Sequence, residues 1–393
     1  MIKENMMSAI AGMVNWNRES IDSRPLFEMS RAMLLRGGAH RDADLHGGTA
    51  LVQNHAAPCR VRMPCSLPYE GGRYTLLLDG TPTLALSDEE LFAPFYDPSS
   101  PEEILRAYSS LGGQIADALR GEYALAIADE GRAELLLARS PEGGRPLFYR
   151  EEEGLFCFAS EIRALLRTLL SPTRIDAGQL RTHLLSPYGV CFGEDLYRDV
   201  ESLPAGHSAL LSRLGLRIFQ NEPPSPIPDQ RPPDFSCPEL FFPDEDTLSR
   251  MLTEILYAFD YPQFDYLMPA LLRELSERRA RGTVRDLVFE DGALCMNIRY
   301  AHERADRLGS LYGVSLTPVA PQRFFAKERE LRKLERILRA LLGSVDTAPL
   351  RQLLGEDWSV QITREKNTAR RIRMEGMVYQ TLVWMEHVPL MLL

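Results

Sequence analysis

Cys and His, the side chains that most readily hold metals or act as nucleophiles and bases, are thinly spread in this chain. The six cysteines, Cys59, Cys65, Cys157, Cys191, Cys237 and Cys295, form no Cys-x-x-Cys pair and no Cys/His spacing. That pattern points to neither a zinc site nor a disulfide framework, which leaves reduced, structural thiols. The seven histidines are equally dispersed. His40, His46 and His55 lie in a Gly-rich stretch without the i, i+4 placement of paired ligands, and read as loop residues. Near the start, SAIAGMVNW carries the apolar run Ala9, Ile10, Ala11, Met13, Val14, which reads as a buried strand with a kink at Gly12.

The formal charge of -10 argues against nucleic acid or an anionic membrane as the main partner, because a phosphate surface repels most of this one. No window approaches the roughly 20 apolar residues of a membrane span, and the first residues are too short and broken for a signal sequence, so a cytoplasmic location is expected. The charged run Lys327 to Arg339 reads as a solvated helix face.

Length favours two domains. The segment from Asn221 to Asp246 holds Pro at 223, 224, 226, 228, 232, 233, 238 and 243, a density that excludes a helix or a central strand. It is taken as a linker over 221–245, between domains at 1–220 and 246–393. In the first, EYALAIAD and AELLLAR flank Glu130-Gly131-Arg132 as a hairpin, and a second hairpin turns around Glu151 to Gly154. Helical spacing marks PEEILRAYSSLGGQIADAL, SEIRALLRTLL and AGQLRTHLL. Antiparallel strands with interspersed helices imply a layered α+β domain. The second part reads as mostly helical, from LSRMLTEILYAF to RRIRMEGMVYQTLVWMEH, with strands only at GTVRDLVFEDG and GVSLTPV.

Three blocks carry a family resemblance. SAIAGMVNW is similar to the Met-Cys-Gly-Ile-Ala-Gly opening of glutamine-dependent asparagine synthetases. LRGEYALAIADEGRAELLLARSPEGGRPLFYREEEGLFCFASEIRALL resembles, nearly position for position, the end of that family's glutaminase domain, and LYRDVESLPAGHSALL its entry to the synthetase domain. The resemblance implies an N-terminal-nucleophile glutaminase domain of two stacked antiparallel sheets between helices (αββα). After it would come a mostly helical, truncated remnant of an α/β ATP-pyrophosphatase domain. The family's chemistry releases ammonia from glutamine and passes it to an acyl-adenylate.

Departures from the family pattern set the functional expectation. The family's nucleophile is an N-terminal Cys whose own α-amine is the base; the matching residue is Ser8, with Met1 to Met7 ahead of it, and it is expected to be inactive. Arg36-Gly37-Gly38-Ala39 replaces Arg-Gly-Pro-Asp, and Asn54-His55-Ala56 stands near the basic His-Arg-Arg segment. Asp79-Gly80-Thr81 replaces the Asn-Gly-Glu loop that supplies the oxyanion amide, and a carboxylate there repels an oxyanion. Ser99-Ser100-Pro101-Glu102 replaces Ser-Asp-Thr-Glu. Arg36, Asp79 and Gly80 thus mark a degenerate glutamine pocket. No Ser-Gly-Gly-x-Asp-Ser phosphate loop occurs. Asp291 and Gly292 stand in a degenerate nucleotide loop, with Leu294 and Cys295 where the family's metal-binding Asp-Glu pair belongs. Val288, Phe289 and Leu294 are expected to fill the vacated volume.

The expectation is a catalytically impaired asparagine synthetase homologue, without cofactor or metal. It would act as a structural or regulatory partner of an active paralogue or a pathway enzyme, with homodimerisation as a further option. The alternative is a divergent ligase using ATP and Mg²⁺, or an amidohydrolase using Ser8. A third reading makes Asp79 and Arg36 contacts for a peptide or metabolite.

Overall fold

The computed structural model describes residues 8–15, 21–55, 63–85, 97, 99–152, 154–168, 173–185, 196–221, 244–259, 262, 264, 287–290, 307–309, 316–319, 328–387 and 390–392. Two compact units emerge, one of residues 1–169 with 200–229, the other of 170–199 with 230–393.

The first unit is a sandwich of two six-stranded sheets. Its strands are β1 (Ser8–Asn15), β2 (His40–His46), β3 (Thr49–His55), β4 (Cys65–Tyr69), β5 (Gly72–Gly80), β6 (Tyr123–Asp129), β7 (Glu134–Arg139), β8 (Phe148–Glu152), β9 (Leu155–Ala159), β10 (Glu201–Ser202), β11 (His207–Ser212) and β12 (Gly215–Gln220). One sheet runs β10-β8-β9-β1-β3-β2, the other β12-β11-β7-β6-β5-β4, and the neighbours within each are antiparallel. The expected hairpins are β6–β7 and β8–β9. The histidines expected in loops instead sit on strands: His40 and His46 end β2, His55 ends β3, and Gly47-Gly48 turns between the two strands. A two-residue Gly turn flanked by alternating residues is a hairpin signal in its own right.

Strand alternation builds the layers. Ile10, Leu51, Leu77, Ala126, Leu137, Phe156 and Phe158 fill the space between the sheets. Leu76, Leu125, Ile127 and Leu136 face the other way, onto Ile104, Leu105 and Tyr108 of α3 (Pro101–Leu111) and onto Ile115 and Ala116 beyond it. The helix expected to run on from Pro101 stops at Gly112, whose φ of 55° breaks it. Across the first sheet, α1 (Ser23–Ala32), α2 (Leu34–Gly37) and α5 (Ile162–Leu165) lie against β1, β3 and β9, completing an α-β-β-α stack; α4 (Ile115–Ala118) extends the α3 layer. β1 is buried on both faces. Gly12 sits where an added Cβ would lie 2.5 Å from the Phe158 ring and 2.7 Å from Leu51. Cys65 and Cys157 are free and buried, and burial pushes both thiols up to about 11.

In the second unit, α6 (Ala177–Leu185), α7 (Glu245–Phe259), α8 (Glu328–Ser344), α9 (Ala348–Leu354), α10 (Trp358–Arg364) and α11 (Thr368–His387) form a helical body. α8 turns Leu331, Leu334, Leu338 and Leu341 inward and Arg329, Arg332, Lys333 and Arg336 outward, the amphipathic pattern read from sequence. The two expected strands, Leu287–Glu290 and Leu316–Val319, pair in parallel. Residues 170–199 group with this unit because Thr173–Ile175 pairs in parallel with Leu390–Leu392 and Trp384 donates to the Tyr197 hydroxyl. Among the described residues no helix is long and apolar enough to cross a membrane.

Two stability outcomes follow from this packing. Gly12→Ala is expected to lower unfolding free energy by about 1–3 kcal/mol through overpacking. Gly343→Ala, in a helix with open space around it, is expected to raise it by roughly 0.5–1 kcal/mol. Urea titration distinguishes them, and equal effects would refute the tight contact at Gly12. His183, buried with its Nε2 3.1 Å from the Pro262 carbonyl, is pushed down to about 4 by burial. The unfolded chain therefore takes up a proton near pH 6.5 that the folded chain refuses. Stability is expected to fall by roughly 3 kcal/mol as pH drops from 6.5 to about 4. His183→Gln should flatten that slope, and an unchanged slope would assign it elsewhere.

Candidate functional site

The polar groups of the first unit converge where the start of β1 meets the end of β5. Ser8 opens β1 directly opposite His55 of β3, and both side chains are buried. The Ser8 hydroxyl reaches across the sandwich, with Oγ 3.2 Å from Asp79 Oδ1 and 3.2 Å from the Leu78 carbonyl. Gln53, on the same face as His55, clamps the two sheets together. Its amide donates to the Leu78 carbonyl at 2.8 Å and accepts from the Leu78 N–H at 3.0 Å.

Asp79 is wholly buried and held by two guanidinium groups. Arg36, at the end of α2, donates to Oδ2 through Nε at 3.2 Å and through a terminal nitrogen at 2.8 Å. Arg145, from the loop between β7 and β8, donates to Oδ1 at 3.3 Å. Both arginines are themselves buried. A charged cluster this deep persists only because its members pair and bond to one another. Gly80 follows with φ of 108°, and a Cβ there would run into the Glu122 carbonyl oxygen, so the sharp exit of β5 after Asp79 demands glycine.

Two neighbours complete the surroundings. Asn54 faces the helix layer, donating to the carbonyls of Ser30 and Gly38 and accepting from the Ser30 hydroxyl. His55 faces the site, its Nε2 3.3 Å from Asp42 Oδ2, while its Nδ1 is buried without a hydrogen-bond partner. Ser100 and Glu102 bond each other at the start of α3. At the other end of β1 lies a cleft of about 130 Å³ bordered by Asp44, His46, Arg73 and Glu130. Arg73 pairs there with Asp44 and Glu130, and His46 Nε2 lies 2.6 Å from Glu130 Oε1.

Of the residues singled out by sequence, the fold thus brings Ser8, Arg36, Asp79 and Gly80 together; Asp291, Gly292 and Leu294 lie outside the described residues. Gln53 and Arg145 join the site without having been singled out. Arg145 had a legible signal, since it lies in the family-like turn SPEGGRPLFY. Chemically the cluster offers a hydroxyl, a carboxylate neutralised by guanidinium groups, and an imidazole. Among the described residues no group of His, Cys, Asp and Glu is arranged to hold a metal ion.

Two antiparallel six-stranded sheets between helix layers form the αββα sandwich that the sequence resemblance implied, with Ser8 at the start of a central strand. A family model described as a glutamine amidotransferase domain matches residues 7–220, more than half of the sequence, and the chain belongs to that family. "Asparagine synthetase [glutamine-hydrolyzing] 3" of Bacillus subtilis is 26% identical over 227 residues, 54% of this chain and 36% of that protein. A "putative asparagine synthetase [glutamine-hydrolyzing]" of Mycobacterium tuberculosis is 33% identical over 147 residues, 35% of this chain and 22% of the relative. The chain therefore matches 36% and 22% of the length of these two curated relatives. A solved glutamine phosphoribosylpyrophosphate amidotransferase from B. subtilis superposes with a TM-score of 0.40 at 14% identity, over 83% of this chain and 70% of that one. That likeness is too slight to define the fold, which rests on the strand order above.

Asp79→Asn removes a buried carboxylate that pairs with two buried arginines and is expected to cost about 3–5 kcal/mol of stability. Chemical denaturation measures it, and a loss below about 1 kcal/mol would show that the cluster does not anchor this end of the sandwich.

Proposed function

We propose that this chain is a glutamine amidotransferase-type protein that does not release ammonia from glutamine, and that it serves as a structural or regulatory partner of an amide-forming enzyme. The observation that carries the proposal is Asp79. It stands where the resemblance puts an amide donor for the oxyanion, and it is a buried acceptor locked between Arg36 and Arg145. An acceptor cannot donate to a developing oxyanion, and loss of one such donor alone costs about 10²–10³ in rate. Ser8, a weaker nucleophile than Cys, sits with its amine in the bond to Met7 in this sequence. An active paralogue or pathway enzyme is the natural partner. ATP and Mg²⁺ enter only in the ligase alternative.

A second reading is favoured by one feature: Ser8 retains a hydrogen-bonded, oriented hydroxyl at the position of the family nucleophile. In that reading the domain carries out acyl chemistry on something other than glutamine.

Glutamine turnover by the full chain discriminates the first reading. Ammonia release is expected to equal that of Ser8→Ala, and mass analysis is expected to find Met7 still joined to Ser8. Ser8-dependent ammonia release would overturn the proposal. A thermal shift with ATP and Mg²⁺ would support the ligase alternative.

A further inference from the structure

We propose that His55 is the general base for Ser8 and that Asp42 positions it, forming an acyl-transfer set that needs no free α-amine. This rests on the second reading, Ser8 as an acyl acceptor. Three observations converge. Ser8 and His55 are directly opposed across β1 and β3, and such cross-strand neighbours hold their Cβ atoms about 4.5–5.5 Å apart. His55 is 3% exposed, and its Nδ1 is buried with no hydrogen-bond partner. Its other nitrogen, Nε2, is 3.3 Å from the Asp42 carboxylate, which fixes the ring and leaves Nδ1 as the atom to receive a proton. His40, on β2, is a further titratable residue in register with His55. The arrangement has the roles of a nucleophile, a base and an orienting carboxylate, recognised by geometry and not by chain order.

In the resting structure Ser8 Oγ bonds to Asp79 and the Leu78 carbonyl. Rotation about χ1 turns it toward His55, a tightening that hydrolase sites commonly reserve for the substrate complex. The Ser8 oxygen then bonds to the acyl carbon of an ester as its proton passes to His55 Nδ1. The carbon–oxygen bond to the alcohol breaks, and that alcohol leaves with the proton from His55. Water repeats the sequence on the Ser8 ester, giving a carboxylic acid and restoring the hydroxyl. The substrate class is an uncharged, activated acyl ester, whose good leaving group lessens the need for the oxyanion donor that Asp79 does not supply. Arg36 and Arg145 are engaged with Asp79, and an anionic substrate would meet the Asp79 charge.

The test uses the full chain with p-nitrophenyl acetate, following p-nitrophenolate release and acetylation of Ser8 by mass spectrometry across pH. Ser8→Ala is expected to abolish acetylation at that position. His55→Gln keeps an amide to meet Asp42 while removing the base, and is expected to slow acetylation by about 10²-fold or more. Its pH profile is expected to differ from wild type in shape as well as in height. Asp42→Asn, on a half-exposed side chain, is expected to slow the reaction by about tenfold and shift the profile, with melting temperature close to wild type. Should His55→Gln fail to fold, Asp42→Asn decides alone, and an unchanged rate and profile would overturn the proposal. Ser8 acetylated equally fast in a folded His55→Gln would overturn the role of His55 while leaving Ser8 as acyl acceptor. No acetylation of Ser8 in the wild type would overturn both.

Discussion

One buried carboxylate, Asp79, organises the functional end of this sandwich. Burying a charge is costly unless it is paired and bonded on every side. Arg36 supplies two of those bonds and Arg145 a third, while Ser8 donates its hydroxyl. These groups come from α2, from β5, from the loop after β7 and from the first residue of β1. The charge requirement of a single side chain therefore holds together four separate pieces of chain. Gln53 reinforces the junction through two bonds to Leu78, the residue before Asp79.

The remainder of the unit supplies a rigid frame for that junction. β1 is buried on both faces, so its register with β3 and β9 is fixed by packing on each side, and a one-residue slip would place the Ser8 side chain among the helices. Gly12 permits Phe158 and Leu51 to close over the strand, and Gly80 lets β5 turn away directly after Asp79. The family likeness thus lives in the scaffold. On the proposed reading, what the site can do depends on a few polar side chains within it: the Ser8 hydroxyl and the Asp79 carboxylate, where the resemblance places a thiol and an amide, and the His55 imidazole.

Much of the frame was legible because it rests on local rules. The β6–β7 and β8–β9 hairpins follow from alternation around turn residues, and α6, α7, α8 and α11 from apolar spacing. Failures came where a local rule was missed or overridden. Gly47-Gly48 is a hairpin turn, so His40, His46 and His55 are strand residues and not loop residues. Gly112 ends a helix that spacing alone would continue, and α5 is one short turn where a longer helix reads plausibly from SEIRALLRTLL.

The sequence by itself determined the membership of the family, the layered α+β class, and the identities of Ser8, Arg36 and Asp79 at the positions where the resemblance places a pocket. Those are properties of residue type and order, and periodicity or motif spacing records them. Only the tertiary structure decided that Arg36 and Arg145 both close on Asp79, that Gln53 bridges the sheets, that His55 stands opposite Ser8 with Asp42 behind it, and that residues 170–199 belong with the second unit. The reason is physical. Ion pairs and hydrogen bonds between residues 13 to 71 positions apart depend on sheet register and on shared burial in a low-dielectric interior, and neither is written in any local stretch of chain.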